Sequence, residues 1–198
     1  MKKVTSSIGF LLMAVMLLGL DTTVEAQDLD PSRRKSPLGI ARLAMGDTYV
    51  KVHYGRPYMR GREIFGGLVS YDEIWRTGAN EGTEFTATKD IMVAGKKLPA
   101  GTYTIFTVPG EQEWEIRFSP QLGLWATGVL DPVSRQMTPN VYDPAMDQLT
   151  VRVQKSDLAD GDDPIRQFTI RLRPHEDGGI FELSWERTSV EVPISAAN

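Results

Sequence analysis

The chain has 198 residues, no cysteine and a formal net charge of −4. That length accommodates one ordinary domain behind a leader, and the absence of cysteine excludes a disulfide-stabilised scaffold. The mild net acidity gives no reason to expect a nucleic-acid partner or an anionic membrane surface.

The N-terminus has the three-part layout of a secretory signal. Lys2 and Lys3 precede an apolar run over residues 8–20, and a polar stretch then ends in Val24-Glu25-Ala26. At ~1.5 Å per residue the run covers roughly 20 Å, too short to cross a hydrocarbon core of ~30 Å. We therefore predict a signal peptide over residues 1–26, cleaved after Ala26, that exports the protein to the periplasm or the medium. No transmembrane segment is expected after cleavage.

The polar residues 27–36 are predicted to form a flexible leader, and residues 37–198 a single domain. Apolar and polar residues alternate through several segments of that domain, as in half-buried strands. The predicted inward faces are Val50, Val52 and Tyr54; Trp114, Ile116 and Phe118; Leu149, Val151 and Val153; Phe168, Ile170 and Leu172; Phe181, Leu183 and Trp185; and Val190, Val192 and Ile194.

Two further segments are predicted to be strands of a different kind. Residues 103–108 are apolar on both faces, and residues 91–101 contain short strands joined by glycine turns. Strands with one apolar face each pack as two sheets face to face. The sequence therefore predicts an all-β fold, a two-sheet β-sandwich of about eight or nine strands, with a barrel as the alternative.

Two stretches lack strand alternation. Residues 121–147 are rich in Gly, Pro and polar residues and are predicted to form a long connection. Residues 55–83 form the longer interruption, and loops of that length in a compact domain are commonly functional. Their aromatic and aliphatic content predicts that they pack on the sandwich, with one short helix around residues 72–76 that ends at Gly78.

The motifs in and after this long loop resemble those of the bacterial family known as domain of unknown function 2911. They are Tyr54-Gly55-Arg56-Pro57, Gly61-Arg62-Glu63-Ile64-Phe65-Gly66-Gly67-Leu68-Val69 and Trp75-Arg76-Thr77-Gly78-Ala79-Asn80-Glu81, followed by the stretches over residues 100–109, 142–145 and 192–194. The resemblance covers nearly all of the chain after the signal. It implies export and a β-rich fold, and it implies no established activity.

The long loop also carries the residues most suited to binding. Arginine offers a planar fork of donors for a carboxylate or phosphate, and Trp or Tyr offers a flat face for a sugar or a cation. We predict a cleft for a small anionic or polyhydroxyl ligand, formed by Arg56, Arg62, Tyr71, Trp75, Arg76, Asn80 and Glu81. The alternative is a structural salt bridge between Arg76 and Glu81 with Trp75 buried beside it.

No motif indicates a metal, a cofactor or a catalytic set. His53 and His175 lie far apart and lack a spaced partner, and Asp160-Gly161-Asp162-Asp163 lacks the spacing and the closing Glu of a calcium loop. The sequence therefore favours a non-catalytic exported ligand-binding or envelope-associated module. Two alternatives stay open: a periplasmic hydrolase with Glu81 as acid or base, and a purely structural domain. No feature identifies a protein partner.

Overall fold

A computed structural model describes residues 35–131, 134 and 136–197. The predicted signal peptide and residues 27–34 of the predicted leader lie outside the described residues. The described chain consists of antiparallel strands: β1 (Leu38–Met45), β2 (Thr48–Gly55), β3 (Thr83–Ala87), β4 (Ile91–Val93), β5 (Lys96–Leu98), β6 (Gly101–Pro109), β7 (Glu113–Ser119), β8 (Val129–Leu130), β9 (Met137–Thr138), β10 (Leu149–Asp157), β11 (Ile165–His175), β12 (Gly178–Glu186) and β13 (Thr188–Ala196).

The strands pair in the order β1-β2-β3-β6-β7-β10-β13-β12-β11, with β4 joined to β13 and β5 to β4. Strand β10 belongs to two layers, because residues 149–154 pair with β7 and residues 155–157 pair with β13. This change of partner folds the sheet into a sandwich, with β1, β2, β3, β6 and β7 in one layer and β11, β12, β13, β4 and β5 in the other. The predicted all-β sandwich is confirmed, and the strands do not close into a barrel.

The core lies between the layers and contains the predicted inward faces. Val50, Val52, Trp114, Ile116 and Phe181 are each at most 1% exposed. Aromatic rings cross the interface: Phe85 of β3 meets Phe181 of β12 with ring centroids 5.4 Å apart. Such edge contacts add to the hydrophobic stabilisation of the buried area. The period-two pattern therefore identified the surface that joins the two layers.

The structure corrects three details. Strand β12 is buried on both faces, because Ser184 and Glu182 on its predicted polar face are only 1% and 8% exposed. The carboxylate of Glu182 forms an ion pair with Arg171, with 3.0 Å between Oε1 and Nη1. Strand β1, which no prediction covered, forms an edge and pairs with β2 along its length. The short helix expected over residues 72–76 is wrong: Asp72 has a positive φ of 58°, and Trp75 pairs as an isolated bridge with Thr107.

The predicted long connection over residues 121–147 contains structure of its own. Strands β8 and β9 form a separate two-stranded sheet, and a single 3-10 turn spans Pro144–Met146. Within the described ranges, no helix has the length and hydropathy needed to span a membrane.

The two edge strands, β1 and β11, lie next to each other without pairing. The chain that leaves β2 fills the junction: the Phe168 N–H donates to the Pro57 carbonyl at 2.9 Å, and the Met59 N–H donates to the Arg166 carbonyl at 2.7 Å. The start of the long loop is thus fixed to β11, and the rest of the loop is positioned from this anchor.

Candidate functional site

The long loop folds back onto strand β6. The Trp75 N–H donates to the Thr107 carbonyl at 2.8 Å, the Thr107 N–H returns a bond to the Trp75 carbonyl at 2.9 Å, and the Asp72 N–H reaches the Pro109 carbonyl at 2.8 Å. Strand β3 pairs with β6 only as far as Ile105. The loop therefore pairs with the part of β6 that β3 does not reach. This pairing fixes the positions of Trp75 and Arg76 relative to the sheet.

Four non-glycine residues of the loop have positive φ angles: Arg60 at 52°, Asp72 at 58°, Thr77 at 56° and Asn80 at 67°. Each costs roughly 1–2 kcal/mol for an L-residue, so the surrounding contacts must hold it. At Thr77 they do: the Thr83 hydroxyl donates to the Thr77 carbonyl at 2.6 Å, and the Thr77 hydroxyl donates to Thr107 Oγ1 at 3.2 Å. A loop that is held in strained conformations by buried bonds is a fixed structure.

Glycine at position 55 lets the two ends of the loop meet. A Cβ placed there would lie 1.9 Å from the carbonyl oxygen of Ala79. Only glycine permits this approach. The contact brings the segment 78–80 against the end of β2, beside the anchor on β11.

Between these segments lies a cavity of about 520 Å³. Its described lining combines four cationic side chains with apolar ones and contains no carboxylate. The cations are Lys35, Arg60, Arg62 and Arg76, and the apolar or polar neighbours include Leu68, Ile74, Trp75, Asn80, Thr127 and Trp185. A hollow of this size falls within the range of small-molecule sites.

Arg76 is the least exposed of the four cations. Its Nε donates to the Gly78 carbonyl at 3.3 Å, and its terminal nitrogens hydrogen-bond to no described residue. Burial lowers the pKa of its guanidinium, and no carboxylate opposes that effect. Arg76 is partly buried, and removing a cation from water is costly unless it is paired. Within the described part of the chain, its terminal donors and its charge have no partner at the cavity.

Arg60 and Arg62 extend the cationic wall. Arg62 donates from Nε to the Met59 carbonyl at 3.0 Å and from Nη2 to the Tyr58 carbonyl at 2.8 Å. Arg60 donates from Nη2 to the carbonyl of Lys35 at 3.4 Å. Because a guanidinium carries five N–H donors, both side chains keep donors for a further partner after these backbone bonds are made.

The apolar wall of the cavity is part of the core. Trp75 stacks on Trp185 with ring centroids 6.0 Å apart and planes 19° apart, and it meets the edge of Phe168 at 5.1 Å. The Trp75 ring is only partly buried. The site therefore rests on an aromatic cluster that spans both layers.

The structure brings together four of the seven predicted site residues and places the other three elsewhere. Arg62, Trp75, Arg76 and Asn80 line the cavity. Arg56 instead donates to the Phe168 carbonyl and to Thr169 Oγ1, both at 3.4 Å. Tyr71 packs against the core, and Glu81 pairs through its backbone with Trp125. None of these three belongs to the described lining.

The structure does not contain the ion pair between Arg76 and Glu81 that formed the structural alternative for this loop. Arg76 has no carboxylate within ion-pairing distance among the described residues, and Asn80 donates its amide to the Ser36 carbonyl at 3.4 Å. A cleft with Glu81 beside a second carboxylate or His53 would favour the hydrolase alternative, but neither a carboxylate nor a histidine is found in the described lining. This cavity therefore gives that alternative no geometric support.

Sequence reasoning missed Lys35, Arg60 and Thr127 as parts of the lining. Lys35 fell within the predicted leader, and Thr127 within the predicted connection. Ala126, next to Thr127, has a positive φ of 57° and also lines the cavity. Arg60 was visible as one of several loop arginines, but no local pattern separated it from Arg56.

Comparison with known proteins agrees with the motif-based resemblance. Residues 36–194 match the model of a family described as a protein of unknown function, DUF2911. Searches of curated proteins and of solved structures gave no match.

Proposed function

We propose that this chain, which belongs to the DUF2911 family of proteins of unknown function, is an exported, non-catalytic protein that binds a small anionic ligand bearing hydroxyl groups. The ligand occupies the 520 Å³ cavity lined by Trp75 and Arg76, which we call the cavity above Trp75. The observation that carries the proposal is the partly buried guanidinium of Arg76, which lines this cavity without a carboxylate partner among the described residues.

The electrostatic argument concerns Arg76 first. A guanidinium removed from water loses hydration that no described protein group replaces. An anion in the cavity restores the lost interaction, and a planar carboxylate does so with two parallel hydrogen bonds. Lys35, Arg60 and Arg62 add positive potential from the cavity wall and draw an anion toward it.

The remaining lining determines what else the ligand carries. Leu68, Ile74 and the partly exposed ring of Trp75 suit an apolar or flat body. The Asn80 amide and the Thr127 hydroxyl suit hydroxyl groups. An acidic sugar combines a carboxylate, a flat ring and hydroxyls, so we take a hexuronic acid as the first probe.

Thermal unfolding in the presence of candidate ligands tests this function. The probes are galacturonate, gluconate, citrate and inorganic phosphate, with neutral galactose as the uncharged control. A ligand at 100 times its Kd stabilises the folded state by ~2.7 kcal/mol, which raises Tm by several degrees. We expect galacturonate to raise Tm and galactose to leave it unchanged.

Two variants locate the binding. Arg76→Met keeps the volume and removes the charge, and we expect it to abolish the shift. Arg152→Met is the matched control, because Arg152 has a 68% exposed side chain on β10, paired with Glu113 and Glu115 outside the cavity. If no probe raises Tm while Arg76→Met lowers it, the loop has a structural role and the binding function is wrong.

Export is supported by the N-terminal layout. Expression of the full chain in a bacterium, followed by intact-mass measurement of the periplasmic and medium fractions, tests it. A mature chain that begins at Gln27 is expected. Full-length protein retained in the cytoplasm would contradict export and would leave the binding proposal to be judged on its own.

A further inference from the structure

A second cavity lies next to the cavity above Trp75, at Tyr58 and Arg60. It has a volume of about 440 Å³, shares both of these residues and is lined in addition by Met59, Gly61, Pro164 and Arg166. The first and second cavities are therefore neighbours that share Tyr58, a residue that is 43% exposed. We call the second cavity the Arg166 subsite.

The Arg166 subsite has the same sign of charge as the first cavity. Its described lining contains Arg60 and Arg166 and no carboxylate. Together the two cavities present five cationic side chains, in a protein whose net charge is −4. Because these positive side chains are concentrated in one region of a protein with a negative net charge, the electrostatic potential in the two cavities is positive.

The junction between the cavities is rigid. The segment that carries Tyr58 is hydrogen-bonded to β11 on both sides, through the Pro57 carbonyl and the Met59 N–H. Tyr58 itself forms a bridge with Gln167. An exposed aromatic ring on a fixed backbone is a platform that binds a flat group with little loss of conformational entropy.

The all-cationic lining ends where the first cavity reaches Ile74 and Thr127. A third cavity, of about 470 Å³, shares Ile74 and Thr127 with the first, and it is lined by Asp72 and Glu115 as well as Arg117. Carboxylates repel a polyanion. The charges of the linings therefore favour an anionic chain that runs from Arg76 toward Arg166 rather than toward Asp72.

We propose that the ligand is an acidic oligosaccharide, with one uronic acid unit at Arg76 and the next across Tyr58 at Arg166. This inference rests on the proposed function and adds the length and repeating charge of the ligand. Two neighbouring cavities with cations in each and the exposed residue Tyr58 shared between them fit consecutive acidic sugars better than one compact anion.

Calorimetric titration of the mature protein with mono-, di- and trigalacturonate tests the inference. We expect the dimer to bind about tenfold more tightly than the monomer, because one more carboxylate–guanidinium pair contributes ~1.4 kcal/mol. Arg166→Gln should remove that gain and leave the monomer Kd unchanged. Arg152→Gln, at an exposed arginine outside both cavities, should change neither Kd.

Each failure has a separate meaning. A monomer that binds while the dimer gains nothing, or a gain that survives Arg166→Gln, overturns the oligosaccharide and leaves the proposed function intact. No binding by any of the three acids overturns the oligosaccharide, and the proposed function falls with it only if gluconate, citrate and phosphate also fail to raise Tm. If inorganic polyphosphate binds as tightly as trigalacturonate, the two cavities recognise charge alone, and the assignment to a sugar is wrong.

Discussion

The hydroxyl of Tyr54 on strand β2 hydrogen-bonds to both backbone groups of Ile170 on strand β11. It accepts from the Ile170 N–H at 2.8 Å and donates to the Ile170 carbonyl at 3.2 Å. The residue opposite Tyr54 in the register of β1 is Gly39, where a Cβ would lie 2.7 Å from the tyrosine ring. The missing side chain at Gly39 lets the ring pass β1 and join β2 to the other edge strand, β11.

Tyr54→Phe removes the hydroxyl and leaves the N–H and carbonyl of Ile170 without this partner in a buried site. We expect the free energy of unfolding to fall by about 1–3 kcal/mol, as measured by urea denaturation. The edge-to-face contact of ring 54 with Phe168 is retained in this variant. A loss below about 0.5 kcal/mol would mean that water replaces the hydroxyl and that the junction is not closed by Tyr54.

Gly55→Ala places a methyl group against the Ala79 carbonyl and forces the two ends of the loop apart. Overpacking against backbone costs about 1–3 kcal/mol or more, and because Ala79 lines the cavity, galacturonate binding should weaken as well. Gly46→Ala is the comparison: Gly46 has a φ of 60° but open space around it. It should cost about 1 kcal/mol without any effect on the Kd.

Arg56 and Arg76 separate structure from binding. Arg56→Ala removes two bonds to β11 and should lower the free energy of unfolding by about 1 kcal/mol while the Kd for galacturonate stays the same. Arg76→Met should leave stability unchanged or raise it, because it removes a partly buried cation that lacks a described counter-charge, and it should abolish binding. Equal effects of the two variants on the Kd would contradict the separate roles.

Asp147 gives a prediction about pH. Its carboxylate accepts from the Tyr142 hydroxyl at 2.7 Å and lies 3.5 Å from Arg117 Nη1, and its Oδ1 is buried without a partner among the described residues. Burial raises the pKa of Asp147, although Tyr142 and Arg117 oppose the effect. Between the unfolded-state pKa of ~3.9 and the raised folded value, the folded protein binds more protons than the unfolded chain.

The contribution of Asp147 to stability therefore decreases as pH rises through that window and is constant above it. Asp147→Asn keeps an acceptor for Tyr142 and removes the titration. The Tm of this variant relative to that of the unmodified protein should rise from pH 4 upward until the folded pKa is passed. If the difference in Tm between Asp147→Asn and the unmodified protein does not change with pH, the raised pKa of Asp147 is contradicted.

Alternation of apolar and polar residues was enough to predict the sandwich. Val50, Val52, Ile116 and Phe181 are buried as their spacing required, because a strand with one apolar face must place that face against the other sheet. The double burial of β12 could not be predicted, since Glu182 is satisfied by Arg171 from the neighbouring strand. Periodicity carries no information about such a cross-strand partner.

The candidate site could be predicted in part. The long aromatic and arginine-rich loop indicated the region, and Arg62, Trp75, Arg76 and Asn80 do line one cavity. Which arginine faces the cavity depends on where the loop turns. The loop turns through positive φ angles at Arg60 and Thr77, and these angles could not be predicted from the local sequence. Lys35 and Thr127 come from distant segments, and only the fold brings them to the cavity.

The most direct test is a crystal structure of the protein with galacturonate bound. We expect the ligand carboxylate at about 2.7–2.9 Å from the terminal nitrogens of Arg76, the sugar ring against Trp75, and Arg56 still bonded to Thr169. A ligand bound elsewhere would contradict this expectation. So would a cavity closed by the protein's own side chains, with a carboxylate of the chain seated on Arg76.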